Sequence, residues 1–448
     1  MSSDEDVQSN SVTEQLEEIN LENEDTSEAK LPVSSVSDLA VIDSIGNQFT
    51  NNGPKDIHND SMPIPSDFTV TIRDAEKRGE GLTSYVVYKL QTKVSDVPGY
   101  TNTQYETCRR FSDFLCLHKK IVEKYLPKGV IIPHPPEKSF ITLAIIKTST
   151  DPMNREVVHR ARQLERYMNR LIQHPRLKND CDIRDFLTID ADLPKAVQTS
   201  TSFGIMKMLN NFQDVISKMT MKMEEGDRWF EQTRYQIDEL DGALKKLHTA
   251  SESLVAARWD MAHSEEELSK TLSMLAATEE STSLSRAISA LTDTTENIST
   301  TWSKQAEIDA AKFSEPIHEY VMLISSIKDV FDERVRLWQE WQCAQEAVVK
   351  KREQKSDALR KMRTQRADQL AMEIEEDVRR TDELEQNFKD LSVAIRKEVQ
   401  RFQAESKTEI KQILVEYMEC TFDTYAEMLQ HWEKFQPIAE SIQVESLP

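Results

Sequence analysis

Beyond Gly242 the chain contains no glycine, and from about Phe203 to the C-terminus its apolar residues keep helical spacing, with prolines only at Pro316, Pro437 and Pro448. Helix interiors disfavour glycine because it costs backbone entropy, and proline because it removes a hydrogen bond. This half of the chain therefore reads as long helices and excludes a mixed fold. The best breaks fall at Glu279–Ser285, where Thr282 or Ser283 offers an N-cap, and in the polar stretch near Met362–Arg366. Three helices of roughly 70–80 residues would each be about 100 Å long. Leu240, Leu244, Leu247 and Leu254, and later Ile288, Leu291 and Ile298, sit at mixed three- and four-residue steps. Such a seam asks for partner helices, and antiparallel dimerisation covers it most simply, so an obligate dimer is expected. Pro316 lies inside the second helix, where it predicts a kink or a break.

Upstream the composition changes. Residues 1–66 carry a net charge of −12 and almost no aromatic side chains, too little apolar surface to offset chain entropy, so an acidic disordered tail is expected. Residues 67–193 carry +4 and the remainder −14, within a whole-chain charge of −22. A basic module between acidic partners suits a local anionic target and argues against bulk nucleic-acid binding. Within it, Asp67–Asp74, Ser84–Val94 and Gln104–Phe111 are rich in β-branched and aromatic residues and are separated by Gly79–Gly81 and Pro98-Gly99, which predicts a three-stranded antiparallel sheet. Helical spacing follows from Phe114 to Tyr125, ending at Pro127, then from Val157 to Leu171, ending at Pro175, and again over about Asp182–Ile189. The fold class is thus a compact α+β domain followed by an all-α rod.

The five cysteines are widely spaced with no Cys-x-x-Cys pair, which reads as cytosolic, and neither a signal peptide nor a transmembrane run is legible. Membrane contact would be peripheral. No nucleotide loop, His-Glu-x-x-His or Gly-x-Ser-x-Gly occurs, so catalysis is not expected and no cofactor or metal is implied. Scattered histidines such as His118 and His159 read as packing or surface residues.

Chemistry concentrates where the third strand meets the first helix, at Arg109-Arg110-Phe111-Ser112-Asp113-Phe114. A guanidinium at Arg110 can give paired, charge-assisted hydrogen bonds to a phosphate monoester. Arg109 alternates to the other strand face, where a structural or surface role is expected. Together with Pro133–Lys138 (PHPPEK), Arg160–Met168 (RARQLERYM), the linker Leu193-Pro194-Lys195-Ala196-Val197, the block Ser217–Thr220 and the downstream helices, these residues resemble the sorting nexins that join a PX to a BAR domain, in particular the retromer-associated, membrane-deforming type. The resemblance runs from about residue 67 to 440. It implies a PX domain over 67–193, a linker and amphipathic helix over 194–223, and a crescent-shaped dimeric BAR domain over 224–448. It further implies that Arg110 holds the 3-phosphate of phosphatidylinositol 3-phosphate, Phe111 packs under the inositol ring, Ser112 adds a hydroxyl, Lys138 meets the 1-phosphate and Arg160 holds ring hydroxyls. The 3,5-bisphosphate is a second candidate lipid. His134 departs from the all-proline turn common in the family.

Three further stretches have two readings each. Phe140, Ile141, Leu143, Ile145 and Ile146 are either core or a loop that dips into lipid, where each buried side chain would contribute roughly 1.5–3 kcal/mol. In residues 203–223, starting at Phe203, the side chains of Ile205, Met208, Leu209, Phe212, Val215, Ile216, Met219 and Met223 share one helical face, with Lys207, Lys218 and Lys222 opposite. That arrangement fits an interfacial helix or one packed on the rod. Lys350, Lys351, Arg352 and Lys355, with more basic residues up to Arg366, lie at the expected tip and suit either a lipid contact or a solvated helix end. The leading functional expectation is a peripheral protein of early endosomes and their tubules, acting in endosome-to-Golgi sorting with retromer as a homodimer or a heterodimer with another sorting nexin. The competing one is a cytosolic coiled-coil scaffold whose PX-like domain binds protein.

Overall fold

A computed structural model of the chain describes residues 68–79, 85–95, 97–137, 155–191 and 223–443. Strands β1 (Phe68–Arg78), β2 (Tyr85–Val94) and β3 (Gln104–Arg110) form the antiparallel sheet in the order β1-β2-β3, with a register shift at Ile72/Asp74. Helix α1 (Phe111–Tyr125) follows β3 without a loop, and Pro127 and Gly129 turn the chain after it, the glycine at φ +71°. Helix α2 (Arg155–Gln173) lies against β1, where the Asn169 side chain pairs with both backbone groups of Val70. Helix α3 (Cys181–Thr188) is capped by Asp180, whose carboxylate accepts from the amides of Asp182 and Ile183. Alternate residues of the sheet and the inner helix faces meet in one core that includes Val70, Tyr88, Leu90, Phe114, Ile121, Leu164, Met168 and Phe186.

Among the described residues, 228–440 are helical apart from two short breaks, and the first long helix, at 51 residues, is shorter than the roughly 70–80 that the spacing suggests. Helix α4 (Arg228–Thr278) is capped by Asp227, and α5 (Thr282–Asp309) starts at Ser281, so the first break lies where the sequence predicts but the N-cap falls one residue earlier. A π-turn, Ala310–Ser314, joins α5 to α6 (Glu315–Arg360). Pro316 thus sits in the first turn of α6, and the irregularity lies just before it. The physical reason is that proline cannot donate to the carbonyl four residues back and clashes with it, and one widened turn relieves both. The second break is at Lys361–Arg363, with Met362 at φ 54°, and leads into α7 (Thr364–Glu440), 77 residues long.

Helices α4 and α5 pack along each other, as do α6 and α7. One rod core gathers Phe230, Ile237, Ile324, Ile327, Val330, Phe331, Leu391, Ile395 and Val399. Beside the π-turn a buried polar set ties three helices: Arg258 pairs with Asp309, Asp309 accepts from Gln305, and Gln305 accepts from the Thr424 hydroxyl. The described residues all belong to one compact unit.

Candidate phosphate site and its seat on the rod

Arg110 closes β3 and caps α1. Its backbone is extended, and its N–H donates to the Asp113 carboxylate at 2.8 Å, so the strand-to-helix corner is fixed by its own sequence. The guanidinium of Arg110 lies 4.1 Å over the ring of Tyr85, which the antiparallel β2–β3 pairing brings alongside. Phe111 packs its half-buried ring against the core, and the guanidinium of Arg160 from α2 lies 4.7 Å over it. Ser112 is exposed in the first turn of α1, where unpaired amides and the helix dipole favour an anion. Four expected contacts therefore meet at one corner, and Tyr85 joins them through strand register, which the sequence reading did not use.

Arg160 is 3% exposed, and its burial pulls the guanidinium below its ordinary value, while the Tyr88 hydroxyl nearby is pushed up to about 12 by burial. An arginine keeps its charge even so. Two cations stacked on aromatic faces at a helix N-terminus form a site with the valence and fork geometry for a phosphate monoester. Arg109 points the other way: it is 2% exposed and donates to the carbonyls of Phe186 and Ile189, tying down the end of α3. Lys138, the apolar stretch from Phe140 to Ile146 and the segment from Phe203 to Met219 lie outside the described residues.

Helix α2 carries a second charged face that the sequence reading missed. Glu315, with a side chain 4% exposed, accepts from His159 at 2.7 Å, from Arg162 at 2.5 Å and from Arg166. Arg170 pairs with Glu319 and, at 2.8 Å, with Glu409, whose carboxylate also accepts from Tyr320. His174 bonds Glu398 at 2.9 Å, His134 bonds Asp329 at 2.8 Å, and Arg155 stacks 4.6 Å from Trp259. His159, read from the sequence as a packing or surface residue, is half-exposed and packs on Glu315. Burial by itself would raise the Glu315 carboxyl, but the hydrogen bonds from His159 and Arg162 and the charge of Arg166 outweigh it and hold the group at about 2. His118, packed on Tyr167 and His134, is driven by burial to about 4. The spacing of Arg155, Arg162, Arg166 and Arg170 along one helix face was the available signal. Thus α2 presents Arg160 to the corner and its opposite face to the rod.

At the far end of α6, Lys350 is exposed beside Glu346, whereas Lys351 bonds Asp377 at 2.7 Å and Glu373 at 3.3 Å on α7. Arg352 is exposed and Lys355 is half-buried. Among the described residues no helix is long and apolar enough to cross a membrane.

The arrangement defines a class: a small α+β module, with two arginines stacked on aromatic rings at one corner, seated by ion pairs on a helical rod. Comparison with known proteins narrows it. Residues 97–190 match the PX domain family model, and residues 205–438 match the model described as Vps5 C terminal like. Mouse Sorting nexin-1 is 36% identical over 414 residues, covering 89% of this chain and 79% of that protein. Bovine Sorting nexin-2 is 37% identical over 380 residues, covering 84% and 73%. The cryo-EM structure of the SNX-BAR Mvp1 tetramer shares the fold at a TM-score of 0.57 and 17% identity, over 83% of this chain and all of that one. The chain belongs to the sorting nexins that combine a PX domain with a BAR-type helical region.

Proposed function

We propose that this sorting nexin is a peripheral protein of early endosomal membranes that reads phosphatidylinositol 3-phosphate at the β3–α1 corner and senses or imposes curvature as a dimer, working with retromer in endosome-to-Golgi sorting. The observation that carries the reading is the convergence of Arg110 on Tyr85 and Arg160 on Phe111 at the start of α1. In this assignment Arg110 and Ser112 take the 3-phosphate, Phe111 supports the ring, Arg160 binds ring hydroxyls, and Lys138 completes the set. Dimerisation is supported by a stripe on α7, where Leu414, Met418, Phe422, Tyr425, Leu429 and Trp432 recur at three- and four-residue steps while 45–65% exposed.

Two weak lipid contacts held on one dimer add through effective concentration, so recruitment depends on lipid identity and dimerisation together. The test is co-sedimentation with vesicles with and without phosphatidylinositol 3-phosphate, comparing wild type with Arg110→Glu and imaging the pellets. Charged hydrogen bonds contribute about 1.5–3 kcal/mol each, so the charge reversal should lower lipid-dependent binding at least tenfold. Binding indifferent to both the lipid and Arg110 would instead favour a scaffold role.

A further inference from the structure

We propose that the aromatic groove between α6 and α7 seats the apolar face of residues 205–219 of the same chain in the membrane-free protein, and that entry of this face into lipid vacates the groove. The proposal rests on the reading of that segment as membrane-active. The groove encloses about 640 Å³ and is lined by Met223, Arg334, Trp338, Trp341, Phe388 and Val393. Trp341 stacks on Phe388 with ring centroids 5.9 Å apart, and Arg334 lies between Phe230 and Phe388, at 3.7 and 4.7 Å, with Glu225 pinning its far end. These contacts make the walls rigid. Val393 on the rim is nevertheless 52% exposed, and the Trp341 indole N–H is buried with no acceptor among the described residues. A volume of this size with aromatic walls is what an apolar occupant requires.

The chain itself indicates which occupant. Met223 is the last of the apolar series Ile205, Met208, Leu209, Phe212, Val215, Ile216 and Met219, and it already lines the groove, with its sulfur 4.0 Å from the Arg334 guanidinium. Met219 is four residues before it and Ile216 seven, so these side chains cannot stray far from the site and need no linker to reach it. Where so short a connection spans the distance, the effective concentration is high and docking costs little association entropy. A segment with eight apolar side chains on one face exposes a patch that water disfavours, and docking covers that patch and the groove together. Its opposite face, with Lys207, Lys218 and Lys222, stays free beside a rod that is acidic overall. The same apolar face cannot occupy groove and bilayer at once, so docking depresses apparent membrane affinity by the fraction of protein left undocked.

The experiment uses the full chain with the photo-cross-linking residue p-benzoylphenylalanine in place of Val393. Irradiation without lipid should join the groove to residues 215–222 of the same chain, and vesicles of phosphatidylcholine and phosphatidylserine should abolish that product. Cross-links to a second copy, to other segments, or to none overturn the docking whatever the membrane result. A product that survives saturating vesicles overturns the competition, and thereby separates failure of the membrane reading from failure of the docking. Independently, Val393→Asp, at an exposed position that spares the rod core, should lower the lipid needed for half-maximal sedimentation about tenfold, as expected when nine-tenths of the wild type is docked. An unchanged lipid requirement would refute the proposal.

Discussion

Replacing Glu315 by Gln removes one charge from the point where α2 grips the rod and changes little else in shape. The folded carboxyl lies at about 2 against an ordinary 4.5, a difference that corresponds to about 3 kcal/mol of folded-state stabilisation. The side chain is 4% exposed, so solvent screening takes little from that figure. Because the folded value is depressed, this contribution is complete above pH 4.5 and drains away as the pH falls through 4.5 towards 2. Urea unfolding at fixed protein concentration should show the variant about 3 kcal/mol less stable at pH 7, with the two proteins converging near pH 2–3. Native-state hydrogen exchange should place the loss in α2. A gap under about 1 kcal/mol at pH 7, or one that does not change between pH 6 and 3, would refute the account of Glu315 as a charged clasp.

Gly129 sits at φ +71°, and a Cβ there would lie 3.1 Å from both Ile395 and Leu391, so Gly129→Ala should cost about 1–2 kcal/mol from backbone strain and more from crowding, read as a lower thermal midpoint. Arg109→Ala strands the carbonyls of Phe186 and Ile189 and should destabilise the sheet domain by about 2–5 kcal/mol; Arg109→Lys should not restore it, because an ammonium lacks the fork. Calorimetry checks both. The pair Leu414→Asp and Phe422→Asp should convert the dimer to monomer by light scattering with helix content retained in circular dichroism, and a surviving dimer would displace the interface from this face of α7.

The long helices were legible in the sequence because periodicity and the lack of glycine are local properties, and so were the three strands, set off by their glycine and proline turns. The corner at Arg110–Asp113 was legible for the same reason: cap, strand end and helix start lie within four residues. What covers a charged helix face is not local. The spacing of Arg162, Arg166 and Arg170 announces a face, but only the fold brings Glu315, Glu319 and Glu409 to it from about 150 and 240 residues away. Nor could the sequence show that Lys351 meets Asp377 across the α6–α7 hairpin, or that the irregularity near Pro316 is a π-turn beside a buried Arg258–Asp309 pair. Composition and short-range spacing determined which elements form. Through-space pairing of charges, which only closure of the core makes close, decided how the β3–α1 corner is held on the rod.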